Sequence, residues 1–363
     1  MKEKFSILLF LLLPILTYGK KGDSEFKKVI VKEFSTNPAT TLGISNKYGK
    51  IIVHTWQKNE VKATITITGF GKSVEEATSI VNMVDISMNN SGNNASLQTV
   101  YNSSSSGNRW FSWGNKKDSK DYVNIDYELY VPERLAKLSL ENNFGDVITD
   151  VLSFPTSINM NYCNYDIKEA GKPLDINMNY CDRGRIGKAE SINIRANYSN
   201  LKSDAISSLV TRSNYCEYTL GTVNSLNTSG NYDEYTVNKV GSFTGKNTYT
   251  DFRITEVQTE INAKLVYGDF SAKTLGTGFK NGEFQLTYTD VKVGIPQRLG
   301  LHIKVQLTRG DVSTGELSLK NVINIKKNSQ LTYTASTSNA DDRSPSISMS
   351  GVYSDIDLKA VDK

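Results

Sequence analysis

The chain has 363 residues, and 42 Lys+Arg against 38 Asp+Glu give it a formal net charge of +4. A balance so close to neutral excludes a strongly basic nucleic-acid binder. Two His and three Cys leave little material for a metal or nucleophile site, an apolar share of 38% is low for a helical enzyme, and 19 Tyr suit half-exposed strands.

Residues 1–19, MKEKFSILLFLLLPILTYG, read as a secretory signal peptide. Lys2 and Lys4 start it, Phe5 to Leu16 is apolar, and Thr17 and Gly19 are small residues ahead of a cleavage site before Lys20. The run is too short for a permanent span, although an uncleaved anchor is the alternative. No cysteine follows it to take a lipid, and no later stretch reaches spanning length. The expected location is therefore outside the cytoplasm: periplasm, outer surface or extracellular.

Residues 20–60 read as the first coil or coils of a repeat, carrying Asn46-Lys47-Tyr48-Gly49-Lys50-Ile51-Ile52-Val53. Residues 61–131 read as a β-rich insertion. Val61 to Thr68 alternates as a strand, and 73–84 predicts a short helix with Ser73 as N-cap and Glu76 three residues on. Val84 to Met88 and Ala95 to Tyr101 predict a hairpin. A polar, Gly/Ser-rich loop, 102–121, follows, and Tyr122 to Val131 predicts a strand ended by Pro132.

From 132 to 363 the chain repeats itself. An aromatic anchor recurs at Phe144, Tyr162, Tyr180, Tyr198, Tyr215, Tyr232, Tyr249, Tyr267 and Tyr288, mostly 17 or 18 residues apart. Asn usually precedes it, an apolar residue stands six before it, and Asp, Glu or Asn stands two after it. Stretches such as Ile176-Asn177-Met178-Asn179-Tyr180 alternate with period 2, which argues strand. A unit this short cannot bury its own apolar face, but stacked on its copies it can. The pattern predicts an all-β, right-handed single-stranded β-helix (a β-solenoid). Roughly 11 coils would stack to on the order of 50 Å, with the Asn column forming an amide ladder. Weaker copies, Thr308-Arg309-Gly310-Asp311-Val312 and Val352-Tyr353-Ser354-Asp355-Ile356, suit C-terminal capping coils.

At these residues the chain resembles the bacterial putative-adhesin families with a β-helix fold, including the head-domain adhesins of Bacteroidetes. The motifs that carry the likeness are the Tyr48-Gly49-Lys50-Ile51 coil running into VHTWQKNEVKATITITG, the short helix, YVPERLAKLSLENNFGDV, and the run of coils. It covers about 26–363. The resemblance implies an extracytoplasmic β-solenoid and offers no catalytic residue to carry over. The chain departs from the usual pattern in two ways. It has Tyr where many relatives carry a small polar residue, and Cys, Ser, Thr or Asp where they carry Gly.

Four features could carry function. The acidic column Glu234, Asp251, Asp269 and Asp290 would repel itself by about 1 kcal/mol per pair in water, which calcium would relieve; turn preference for Asp and Asn explains the column equally. Stacked Tyr198, Tyr215, Tyr232 and Tyr249 could form a platform for sugar rings or a protein, or simply align the coils. Arg109, Trp110, Phe111 and Trp113 make the 102–121 loop a partner-binding candidate, or a cover for a coil end. Cys163 and Cys181, one coil apart, could bond or stand as stacked thiols, whereas Cys216 is two coils from Cys181. His54 and His302 have no carboxylate or Cys partner at usable spacing in the sequence.

These residues predict a non-enzymatic, adhesin-like binding or envelope protein, with no cofactor. Its partner would be a surface protein or glycan rather than nucleic acid. The alternative is a lyase-like, polysaccharide-active β-helix enzyme using the acidic column and calcium.

Overall fold

The computed structural model describes residues 24–102 and 122–361. The leader and the loop residues Arg109, Trp110, Phe111 and Trp113 lie outside the described residues. Among those described, 23 strands and one helix make the chain all-β, and no helix is long and apolar enough to cross a membrane. The chain divides into two compact units, Met1–Lys172 and Pro173–Lys363.

The first unit combines an antiparallel layer with parallel ladders. Strand β1 (Ser24–Ser35) pairs antiparallel with β4 (Glu60–Gly71), which pairs antiparallel with β7 (Tyr122–Pro132). The helix α1 (Val74–Asn82) lies on this layer and buries Ala77, Ile80 and Val81. Ser73 caps it by accepting from the Glu76 N–H at 3.2 Å, and Glu76 Oε2 accepts in return from the Lys72 N–H at 2.8 Å. The strands β5 (Val84–Ser91) and β6 (Asn94–Tyr101) form a hairpin.

Strand β2 (Thr41–Tyr48) pairs in parallel with β6 and with β8 (Lys137–Leu152), while β3 (Ile51–Trp56) pairs in parallel with β7 and β8. The two segments that match in sequence thus lie side by side, with Asn46 opposite Asn142 and Tyr48 opposite Phe144. The strands β9 (Thr156–Asn161) and β10 (Cys163–Ala170) continue the two halves of β8 in parallel.

The second unit begins with β11 (Leu174–Asn179), parallel to β12 (Gly184–Asn197). Then come β13 (Asn200–Asn214), β14 (Glu217–Asn231), β15 (Glu234–Thr248), β16 (Asp251–Leu275) and β17 (Asn281–Pro296). From β12 to β17 each pairs in parallel with the next, and β12 to β16 follow one another across two-residue corners. Inward positions alternate along each strand and meet their equivalents above and below. Leu209, Leu226, Phe243 and Ile261 form one buried column, and Tyr218, Tyr235, Phe252 and Phe270 another. Each such side chain contributes roughly 1.5–3 kcal/mol by leaving water. Opposite Val240 to Ser242, β16 carries one extra residue between Val257 and Glu260, an irregularity that lengthens that repeat from 17 to 18.

The C-terminal strands break chain order. Strand β22 (Ser346–Val352) lies in parallel between β17 and β18 (His302–Thr308), and β23 (Ile356–Val361) lies between β17 and β19 (Val312–Ser313). The antiparallel strands β20 (Leu319–Lys327) and β21 (Gln330–Thr337) pack beside β18.

Candidate functional site

The corners are where sequence becomes surface. In the second unit every anchor tyrosine from Tyr180 to Tyr288, and Tyr353, has φ between 50 and 58°, a left-handed conformation that bulky residues rarely adopt. A hydrogen bond across the rungs holds it there. The Tyr198 N–H donates to Asn214 O, Tyr215 to Asn231 O and Tyr232 to Thr248 O, all at 3.0 Å. In the first unit the corners after Tyr48 and Phe144 instead use Gly49 and Gly145, with φ 114 and 148°. The chain thus makes one bend by two backbone routes.

The side chains at these corners stack. Tyr180, Tyr198, Tyr215, Tyr232, Tyr249, Tyr267, Tyr288 and Tyr353 form one column with centroids 4.6–5.1 Å apart and planes within 6°. Arg309 lies over the outer face of Tyr353 at 5.1 Å. Tyr48, Phe144 and Tyr162 stack likewise in the first unit. Tyr198, Tyr215, Tyr232 and Tyr249 are 46–48% exposed, but their faces are turned to one another. What they offer solvent is ring edge and hydroxyl, a poorer seat for a sugar face than an isolated ring.

The ring stack and the strained backbone can be separated by substitution. Tyr215→Ala removes two stacking contacts and keeps a left-handed Cβ residue, whereas Tyr215→Gly removes the same contacts and sheds that strain. Urea unfolding should find both variants less stable than the native chain, with the glycine variant ahead of the alanine one by about 1 kcal/mol.

Beside the tyrosines runs the amide ladder. Asn231 Nδ2 donates to Asn214 Oδ1 at 3.0 Å, Asn214 to Asn197 at 3.1 Å, and Asn197 to Asn179 at 2.9 Å. On the other side of the corner stands the acidic column. Its carboxylates accept from backbone: Asp251 Oδ1 from the Asp269 N–H at 3.0 Å, and Asp290 Oδ1 from the Asp355 N–H at 2.9 Å. Arg253 pairs with both Glu234 and Asp251. Mutual repulsion is thus offset within the protein, and no group of His, Cys, Asp and Glu suited to a metal occurs among the described residues.

One residue past Tyr198, Tyr232, Tyr249 and Tyr353, the side chain turns inward and accepts a backbone N–H from the rung before. Ser199 Oγ takes the Cys181 N–H at 3.0 Å, Asp233 Oδ1 takes that of Cys216 at 2.9 Å, and Ser354 Oγ takes that of Thr289 at 3.2 Å. This is why Ser, Cys, Thr and Asp recur there. Hydroxyls and thiols also donate onward to the carbonyl two residues back, as Ser199 does to Asn197 O at 2.9 Å. Cys181 and Cys216 Sγ lie 3.4 and 3.3 Å from the equivalent carbonyls, and Cys163 Sγ lies 3.2 Å from Asn161 O. Cys216 is a buried free thiol, and burial pushes its pKa up to about 11, away from reactivity.

Asp233 alone in this column carries a carboxyl. Burial pushes its pKa up to about 6, against the pull of its bonds from the Cys216 N–H and from Ser213 Oγ at 2.9 Å. Next to it Tyr218 and Tyr235 are fully buried and stacked at 4.5 Å, and burial raises both phenols.

Two features escape reading by sequence spacing. His54 does have carboxylate neighbours: Asp150 Oδ2 lies 2.9 Å from Nδ1, and Glu128 Oε1 lies 3.6 Å from Nε2. Strands β7 and β8, which flank β3, bring them from 74 and 96 residues away. The second is a column three residues before the anchors: Arg195, Arg212, Ser229, Lys246 and Lys264, all on one solvent face. Aligning the repeats on their tyrosines exposes it. A shallow depression of about 320 Å³ opens there, lined by Arg195, Asn197, Arg212, Asn214, Ser229 and Asn231 among others.

Parallel ladders with aromatic corners define an all-β chain with columnar surfaces. No family model matches the chain, and no curated protein matches it. Among solved structures it is similar to a putative cell adhesion protein from Clostridium sporogenes, at 12% identity over 93% of this chain and 100% of that one, with a TM-score of 0.20. It is also similar to a putative adhesin from Parabacteroides distasonis (11% identity, 92% and 97% covered, TM-score 0.35). A third is a putative adhesin from Parabacteroides merdae (11%, 92% and 96%, TM-score 0.34).

Proposed function

We propose that the chain is a non-enzymatic, exported binding protein of adhesin type, built on a right-handed β-solenoid. The observation that carries this reading is the two-residue corner. Parallel neighbours ordinarily need a crossover of a dozen residues or more. From β12 to β16 only two residues separate each strand from its parallel neighbour, so the strand itself must travel round the coil. A right-handed sense follows the general handedness of parallel connections. Coils in register turn each outward position into a column, and such a surface suits a repetitive or extended partner.

Binding of a cell-surface glycan or protein by the exported chain is the function proposed. The loop 102–121, with Arg109, Trp110, Phe111 and Trp113, belongs to the proposal as a capture element, because aromatic and basic residues suit an interface. The test is a glycan array and a cell pull-down with the chain from Lys20 onward. Selective capture is expected, and deleting 107–117 should reduce it at least about tenfold without shifting the unfolding midpoint. Absence of capture from both assays would overturn the reading. So would release of unsaturated uronate from a polysaccharide, which marks an enzyme.

A further inference from the structure

We propose that the cation column of the second unit is a docking strip for a linear acidic polysaccharide lying along the stack, an inference that rests on the binding role above.

The charges are placed asymmetrically. On the strands that follow the tyrosine corner, and in the stretches that close each coil, cations meet carboxylates: Arg185 with Asp204, Lys239 with Glu256, Arg253 with Glu234. On the strands that precede the corner, among the described residues, no carboxylate lies within ion-pairing distance of Arg195, Arg212, Lys246 or Lys264. Arg195 stands directly opposite Arg212, and Lys246 opposite Lys264. Like charges opposed across a ladder repel. Arg212 donates to Asn193 Oδ1 at 3.1 Å, an uncharged acceptor, so among the described residues no carboxylate offsets that repulsion, and all four side chains are exposed. The next outward column, two residues earlier, keeps its carboxylates at its two ends, Asp175 and Glu283. A polyanion along the strip would therefore meet cations on its way, with acids at the two ends of the next column and, past the tyrosines, in the acidic column.

The neighbours of the strip match a sugar chain better than a bare polyphosphate. The amides of Asn197, Asn214 and Asn231 run parallel to it, one residue position from the tyrosine hydroxyls. Asn197 and Asn214 each spend one N–H and one lone pair on the ladder, Asn231 spends one N–H, and the rest serve hydroxyls. Ser229 is short between Arg212 and Lys246, so the strip dips there, where the depression opens. Rungs about 4.8 Å apart advance by roughly the length of one pyranose ring, so successive uronates can meet successive rungs. Arginine adds planar, two-point recognition of carboxylate.

The probes are polygalacturonate, neutral dextran, single-stranded DNA and phosphatidylglycerol vesicles, each titrated onto the full mature chain at two salt concentrations. Polygalacturonate should bind best, more weakly as salt rises, and dextran should not bind. Arg195→Gln with Arg212→Gln, and Lys246→Gln with Lys264→Gln, should each weaken it about tenfold. Lys202→Gln with Lys292→Gln removes the same charge from the strands after the corner and should leave binding unchanged. All three double variants should unfold at the native midpoint, since every site is exposed. Equal weakening by the control pair, equal binding of dextran, or tighter binding of DNA or vesicles would overturn the strip. If the fourfold variant still captures cells as the native chain does, the strip fails and the adhesin role stands; if the native chain captures nothing, the role itself fails.

Discussion

Gly145→Ala is expected to destabilise the first unit by about 3 kcal/mol or more, read as a lower urea midpoint with an unchanged slope. Two penalties coincide there. The residue has φ 148°, open to glycine and costly for anything with a Cβ. A Cβ would also stand 1.9 Å from Gly49 O and 2.6 Å from Gly49 C. Those atoms are backbone in the adjacent rung, and the Gly49 N–H is bonded to Phe144 O at 2.8 Å, so neither partner can withdraw without breaking the ladder. Gly171→Ala is the matched control. Its nearest atom is Leu152 O at 3.9 Å and its φ is ordinary, so the change should stay within about 0.5 kcal/mol of neutral. Equal stabilities for the two variants would refute the account.

Asp233→Asn should do the reverse and stabilise the second unit at neutral pH. The Asp233 pKa is raised from 3.8 to about 6, chiefly by burial. A raised value means that the folded state holds the proton more tightly than the unfolded chain does. The resulting stability is present in full below about pH 3.8 and is lost as pH rises through 6. By pH 7 the loss amounts to up to about 3 kcal/mol. Asparagine keeps an acceptor for the Cys216 N–H and adds a donor for Ser213 Oγ, without the charge. The variant should therefore exceed the native chain in unfolding free energy at pH 7, with the gap closing towards pH 4. A variant weaker than the native chain at pH 7, with no change in the gap on acidification, would show that the carboxylate stabilises the fold where it is.

The corner pattern was legible because one column, the tyrosines, hardly varies and the repeat is nearly constant. That was enough to align Asn46 with Asn142 and to place the amide ladder. Four things were hidden for physical reasons. Tyrosine has no intrinsic preference for left-handed backbone, so nothing in its propensity announces that it occupies the position usually given to glycine; the cross-rung N–H bond enforces it. The cation column is made of different residues, Arg, Arg, Ser, Lys and Lys, and is uniform only in charge. The partners of His54 depend on which strands flank β3, and 96 residues separate it from Asp150. The end of the tyrosine column was obscured in the same way, since Tyr353 stacks on Tyr288 from 65 residues away.

The placement of β22 and β23 bears on how the molecule is made. Residues 346–361 are synthesised after everything they separate, yet they sit between 281–296 and 302–313. Assembly in order of translation therefore leaves a vacant slot until this stretch arrives. Until then the ladders of β17 and β18 present raw edges that invite pairing with other chains. A stop codon ahead of Ser346 would remove an inner plank rather than shorten the far end, leaving β17 and β18 without the strand that joins them.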